Sequence, residues 1–195
     1  MKLRPGADIN QLARKLGARV IGCIEGLNVC RLQFPDADAA DKARALLALD
    51  DDVTAVDYNY SIDRPMPPIE STSAAASPLQ LQLNPPDDTG QIVIGLVDTE
   101  FQSLCGDLNK FMLKPISVAG GVQPTANVPT HATAMANMML RSLQSATKGS
   151  TSVQILPVDV YGPNATTSTY DVANGIVAAG NNGALFGIAK NANII

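Results

Sequence analysis

The sequence predicts an α/β protein in three stretches: a small α+β module over residues 1–60, a proline-rich connection over 61–90, and a parallel-sheet α/β unit over 91–195. Three observations carry this reading. The run Gln91-Ile92-Val93-Ile94-Gly95-Leu96-Val97 is almost wholly apolar and ends in Asp98, the pattern of a parallel strand buried on both faces. Ahead of it, short helical and alternating patterns follow one another closely. Between the two, Pro65, Pro67, Pro68, Pro78, Pro85 and Pro86 are interleaved with Ser71-Thr72-Ser73-Ala74-Ala75-Ala76-Ser77. That composition favours extended, mobile chain and is where proteases cut.

In the first stretch, Lys2 and Leu3 read as a strand end. Asp8 to Leu16 is a helix with Ile9, Leu12, Ala13 and Leu16 on one face, closed by Gly17. Arg19 to Ile24 and Leu27 to Phe34 are strands joined at Glu25-Gly26; Cys30, Leu32 and Phe34 alternate with Arg31 and Gln33. Asp38 to Leu49 is a second helix, and Val53 to Tyr60 a last strand. This order is that of a split βαβ, ferredoxin-like module, with helices on one sheet face and the other face, carrying Val20, Ile24 and Val29, in need of a partner.

In the last stretch the strand ending at Asp98 comes first. A short strand interrupted by Pro115 follows within Phe111 to Val118. A helix runs from about His131 to Gln144, with Met135, Met138, Met139 and Leu143 as its apolar stripe. Ser152 to Val160 is a strand made irregular, or placed at an edge, by Pro157. Ser168 to Ala179 is a helix closed by Asn181-Asn182-Gly183, and Ala192 to Ile195 starts another strand.

Composition narrows the function classes. Of 195 residues, 46% are hydrophobic, enough for a real core. The net charge is −4 and there is no basic stripe, which argues against a nucleic-acid partner. No apolar run approaches the roughly 18 residues of a membrane span, and the first residues lack the apolar core of a signal peptide. Cys23, Cys30 and Cys105 have no metal spacing. Cys23 and Cys30 flank a turn. Two small core residues is the favoured reading; a bridge requires a non-hydrogen-bonded pair and an oxidising compartment.

The candidate chemistry lies in two segments. Asp98 stands at the carboxyl end of a buried strand, where ligand and catalytic groups gather in open α/β sheets. The segment Pro129-Thr130-His131-Ala132-Thr133-Ala134-Met135-Ala136 holds the only histidine, at a helix start. A buried carboxylate that accepts from one imidazole nitrogen fixes the tautomer and leaves the other free to take a proton from a nucleophile.

Val93-Ile94-Gly95-Leu96-Val97-Asp98-Thr99 resembles the strand that carries the catalytic aspartate in subtilisin-like serine proteases, the subtilases. His131-Ala132-Thr133-Ala134-Met135-Ala136 resembles their His-Gly-Thr-x-x-Ala motif. Val153 to Gly162 resembles their next core strand, and Asp171-Val172-Ala173-Asn174-Gly175-Ile176 the helix after it. Residues 1–60 are similar to the family's inhibitor-type propeptide, down to Val53-x-x-Val56-x-x-Asn59-Tyr60.

The resemblance implies a secreted or exported endopeptidase made as a zymogen. Residues 1–60 would be its propeptide, docked on the catalytic domain and blocking the cleft, with a processing region within 61–90; residues 91–195 would be the N-terminal part of a subtilisin-like peptidase domain. Substrates would be proteins or peptides, hydrolysed by an Asp-His-Ser triad with catalytic Asp98 as orienter and His131 as general base. No cofactor is implied; calcium is common in the family, but no ligand cluster can be named here. Two positions depart from the pattern: Glu100 and Ala132 stand where the family has glycine. No serine lies in a Gly-Thr-Ser-Met nucleophile motif, so the reading is of a truncated precursor that ends before the catalytic serine and is inactive alone.

The rival reading is a non-catalytic binding or inhibitor module built from a propeptide and a degenerate protease half. A nucleotide site ranks lower, because Asp98-Thr99-Glu100 would repel phosphate where a glycine-rich loop is needed. A metal hydrolase ranks lower still, with one histidine and scattered carboxylates.

Overall fold

A computed structural model of the chain describes residues 1–66, 78–85, 92–103, 107–120, 129–186 and 192–194. It is a mixed α/β structure that separates into two compact units, Met1–Tyr60 and Ser61–Ile195.

The first unit contains β1 (Lys2–Leu3), α1 (Ile9–Lys15), β2 (Arg19–Ile24), β3 (Val29–Gln33), α2 (Ala37–Leu47) and β4 (Val53–Ala55). Its sheet has the order β2-β3-β1-β4 and is antiparallel throughout. The helices start where their caps dictate. The Asp8 carboxylate accepts the Asn10 and Gln11 amides, and Asp36 accepts that of Ala39. Gly17, at φ +65°, ends α1 in the left-handed conformation that favours glycine. Leu3, Leu12 and Cys30 form the core, with Ile9 and Val53 packed against them.

Four features of this unit differ from the sequence reading. The second strand of the hairpin begins at Val29, not Leu27, because Glu25–Leu27 forms a 3-10 turn closed by Asn28 at φ 53°. Strand β4 stops at Ala55 rather than reaching Tyr60, because its partner β1 supplies only Lys2 and Leu3. Val20 does not share a face with Ile24 and Val29: the register shifts between Val20 and Gly22, and Val20 pairs with Leu32 on the Cys30 face; Ile24 is itself buried. Finally, Cys23 and Cys30 are disulfide-bonded rather than two free core thiols. They are register partners, and Cys30 exchanges both its backbone hydrogen bonds with Met1 on the other side. Opposite Cys23 the pair is therefore non-hydrogen-bonded, and its Cα atoms lie 4.1 Å apart, close enough to bridge.

The second unit contains β5 (Ser61–Asp63), β6 (Gln82–Leu83), β7 (Val93–Asp98), a 3-10 turn at Asp107–Phe111, β8 (Ile116–Ser117), α3 (His131–Ala146), β9 (Ser150–Thr151), β10 (Gln154–Asp159), β11 (Thr166–Ser168), α4 (Thr169–Phe186) and β12 (Ala192–Ile194). The main sheet is parallel, in the order β12-β7-β10-β8. Alternation along β7 and β10 divides the core. Leu96 and Ile155 pack with Ala132, Ala136 and Leu140 of α3, while Val93, Leu156 and Val158 pack with Ala179 of α4. The two helices thus cover opposite faces. Gly175 lets α4 approach closely: a Cβ there would lie 2.5 Å from Val160 Cγ1.

Within the stretch read as a mobile connection, two described segments are held in sheets. Strand β5 pairs antiparallel with β11, and β6 pairs parallel with β9. Leu81 is 1% exposed within the α3 core, a burial worth about 2 kcal/mol. The Ser71–Ser77 segment lies outside the described residues, as does Cys105. Pro157 sits in an inner strand, not at an edge, in unbroken register with Leu96 of β7. Its missing N–H faces the β8 side, where the ladder is already interrupted between Met112 and Ile116. Met138 is 56% exposed and outside the apolar stripe; Ala132, Ala136 and Leu140 form the buried row at helical spacing. Helix α4 runs on through Asn181-Asn182-Gly183 to Phe186, and Gly180 does not take the left-handed φ that would stop it.

Candidate active site

The site forms where β7 ends and α3 begins. Strand β7 delivers Asp98 at its carboxyl end, and Thr130 caps α3 by accepting the Thr133 amide, so His131 is the first helical residue. The His131 Nδ1 lies 2.7 Å from Asp98 Oδ2 and 2.9 Å from Oδ1. With Nδ1 protonated it donates to the carboxylate, and Nε2 is left as an acceptor. The side chains are 23% and 10% exposed, so the pair is sheltered but reachable. Asp98 Oδ1 also accepts the Thr99 amide at 2.6 Å.

Two threonines lock this geometry. Thr99 Oγ1 accepts the Ala132 amide at 3.1 Å, joining the end of β7 to the first turn of α3. Thr133 Oγ1 accepts the Gln102 amide and donates to the Gln102 carbonyl, joining the same turn to the loop after Asp98. Both threonines are almost fully buried. Ala132 has no exposed surface and packs with Leu81, Leu96 and Phe111, so its methyl points into the core and does not narrow the site.

A third residue, Asp159, stands in parallel register beside Asp98. It is 5% exposed. Its Oδ1 accepts the amides of Tyr161 and Gly162, and its Oδ2 accepts the Ser117 hydroxyl. Gly162, at φ +55°, has the Ala119 carbonyl 2.4 Å from where a Cβ would stand, so no side chain fits. This turn carries Tyr161, whose hydroxyl donates to the Asp63 carbonyl at 3.1 Å. Burial raises the Tyr161 pKa, and the nearby Asp98 charge raises it further; Arg64 opposes both.

Residues 1–59 match the family model of the fervidolysin N-terminal prodomain, a subtilase-type propeptide. This prodomain match covers nearly all of the first compact unit and none of the Asp98–His131 site. No curated protein matches the chain.

Both sequence-derived site residues, Asp98 and His131, are brought together; they come from elements 33 residues apart. Glu100, two residues beyond Asp98, is not an unpaired charge: its Oε2 lies 2.7 Å from Arg64 Nη1. Sequence reasoning missed Arg64, Thr99, Thr133, Asp159 and Tyr161. Asp159 carried a usable signal, a carboxylate closing a second buried strand, and Thr99 and Thr133 stand inside the two segments that resemble subtilase motifs. Among the described residues, no group of three His, Cys, Asp or Glu side chains could hold a metal ion, and no helix is long and apolar enough to cross a membrane.

Proposed function

We propose that this chain is part of the precursor of a subtilisin-like serine endopeptidase, exported from the cell and kept inactive by its prodomain. The single observation that carries the proposal is the Asp98–His131 hydrogen bond at the carboxyl end of a parallel sheet, downstream of a subtilase-type prodomain match. The strand order β2-β3-β1-β4 supports a ferredoxin-like reading of residues 1–60. The parallel sheet with α3 and α4 on opposite faces supports reading the second unit as the N-terminal part of a peptidase domain.

In this reading Asp98 orients the imidazole and stabilises it as it becomes positive, and His131 Nε2 takes the proton of a serine hydroxyl as it attacks a peptide carbonyl. Among the described residues no serine hydroxyl bonds to His131, and the serine belongs to sequence following Ile195. Residues 1–60 act as an intramolecular inhibitor, and processing falls within residues 61–90. The test has two stages. The reading frame is followed past the Ile195 codon for a Gly-Thr-Ser motif, and the complete precursor is treated with a phosphonylating serine probe. Labelling that disappears in His131→Ala supports the proposal; a stop codon directly after Ile195 overturns it.

A second reading draws on one observation. Glu100 beside the site is neutralised by a residue of the same chain, as a degenerate protease half serving as an inhibitor platform would allow. Inhibition of a subtilase by residues 1–60 alone, with no serine motif downstream, would favour that reading.

A further inference from the structure

Strand β5 lies on β11 as an added antiparallel strand, Ser61 opposite Ser168, Ile62 opposite Thr167 and Asp63 opposite Thr166. The next residue, Arg64, extends the ladder through its amide to the Ala165 carbonyl at 2.8 Å. Its guanidinium enters a cradle beside the Asp98–His131 pair. Nη1 donates to Glu100 Oε2 at 2.7 Å, Nε to the Asn164 carbonyl at 3.0 Å, and Nη2 to the Gly162 carbonyl. The group also sits 5.3 Å from the centre of the Tyr161 ring.

The cradle offers one carboxylate, two carbonyls and an aromatic face. A carboxylate would leave all three acceptors unpaired, and a neutral amide, with two N–H groups on one nitrogen, would leave at least one of them so and the Glu100 charge unmatched. The acceptors diverge, one at the end of β7 and two in the loop before β11, which suits a planar fork of several N–H groups better than the point charge of an ammonium. Nor does Arg64 make the loop. Asp159 holds the Tyr161 and Gly162 amides, Gly162 is wedged under Ala119, and Asn164 bonds back to the Tyr161 carbonyl through its backbone and side-chain nitrogens.

We infer that this cradle is a recognition subsite for an arginine side chain of an extended peptide laid along β11, filled here by the chain's own Arg64. The inference rests on the peptidase reading for its purpose, and on these contacts alone for its chemistry. Glu100, where the sequence pattern calls for glycine, is then a specificity residue.

The experiment measures peptide binding without turnover. A fluorescent hexapeptide with the sequence of residues 61–66 is titrated, by anisotropy, into the full chain carrying Arg64→Ala; peptides with alanine or lysine in place of the arginine are the controls. The expected result is binding of the arginine peptide about tenfold tighter than either control, the size of one lost charge-assisted contact. The unmodified chain binds none of them detectably, and Arg64→Ala with Glu100→Gln shows no preference for arginine. Arg64→Gln, which keeps an aliphatic stem but not the charge, repeats the test if the alanine variant does not melt cooperatively. Equal binding of the three peptides, no binding to a folded variant, or failure of both variants to fold makes Arg64 a structural staple and overturns the inference. None of these outcomes touches the serine-probe test, so the two readings fail separately.

Discussion

Asp159 and Asp98 are register partners at the carboxyl ends of adjacent parallel strands, yet their carboxylates do different work. Asp98 faces His131, while Asp159 turns its oxygens onto the Tyr161 and Gly162 amides and the Ser117 hydroxyl. Replacing Asp159 by alanine strands two buried amides. The expected cost is about 2–4 kcal/mol, read as a lower urea midpoint, and the Arg64 contacts to Gly162 and Asn164 loosen with it. An unchanged midpoint would show that water replaces the carboxylate.

Asp98→Asn keeps the shape of the pair but allows the wrong imidazole tautomer. In the complete precursor, after processing, peptide hydrolysis is expected to fall by about 10⁴ with the fold intact, the size known for such an exchange in a Ser-His-Asp triad. Hydrolysis within tenfold of the parent would remove Asp98 from the mechanism.

Gly175→Ala puts a methyl 2.5 Å from Val160 Cγ1 and 3.1 Å from Val97 Cγ1, between α4 and the sheet. Alanine is the better helix former, but the overpacking should dominate and destabilise the second unit by about 1–3 kcal/mol. A rise in melting temperature would mean that α4 shifts outward at little cost.

The Cys23–Cys30 bridge closes a short loop with a sequence separation of 7. On chain-entropy grounds its loss should cost about 2 kcal/mol. Cys23→Ser should therefore melt earlier than the parent in oxidising buffer, and the two should converge under strong reductant. A persistent gap would place the effect in side-chain packing.

Tyr161 gives the stability a pH dependence. Its folded pKa is raised above the ordinary value of 10.0, first by burial and then by Asp98. The folded state therefore holds the phenolic proton longer than the unfolded chain does. This contribution is complete below pH 10.0 and is lost as pH rises through the folded pKa. Absorbance titration should show two tyrosines ionising late, Tyr161 and Tyr58, whose hydroxyl is bonded to Asp41, and Tyr161→Phe should remove one of the two; a titration unchanged by the substitution would contradict the assignment.

Much of this architecture is legible in sequence because it is local. The β-branched run before Asp98, the helix beginning at His131, and the two helices of the first stretch each follow from residues a few positions apart. A strand end and a helix start can meet above a parallel sheet, but it was the resemblance of both segments to subtilase motifs that paired Asp98 with His131 in the sequence. Tertiary structure decided what depends on register and distance. Composition marks residues 61–90 as extended chain. Yet β5 and Leu81 find partners far along the sequence, and Arg64 meets the Asn164 carbonyl across 100 residues. A shift near Val20 moves one side chain to the other sheet face, and the pairing of Cys30 with Met1 leaves its opposite side free to bridge Cys23. Local propensity cannot encode such choices: a strand's hydrogen bonds are satisfied by whichever edge the packed core brings alongside it.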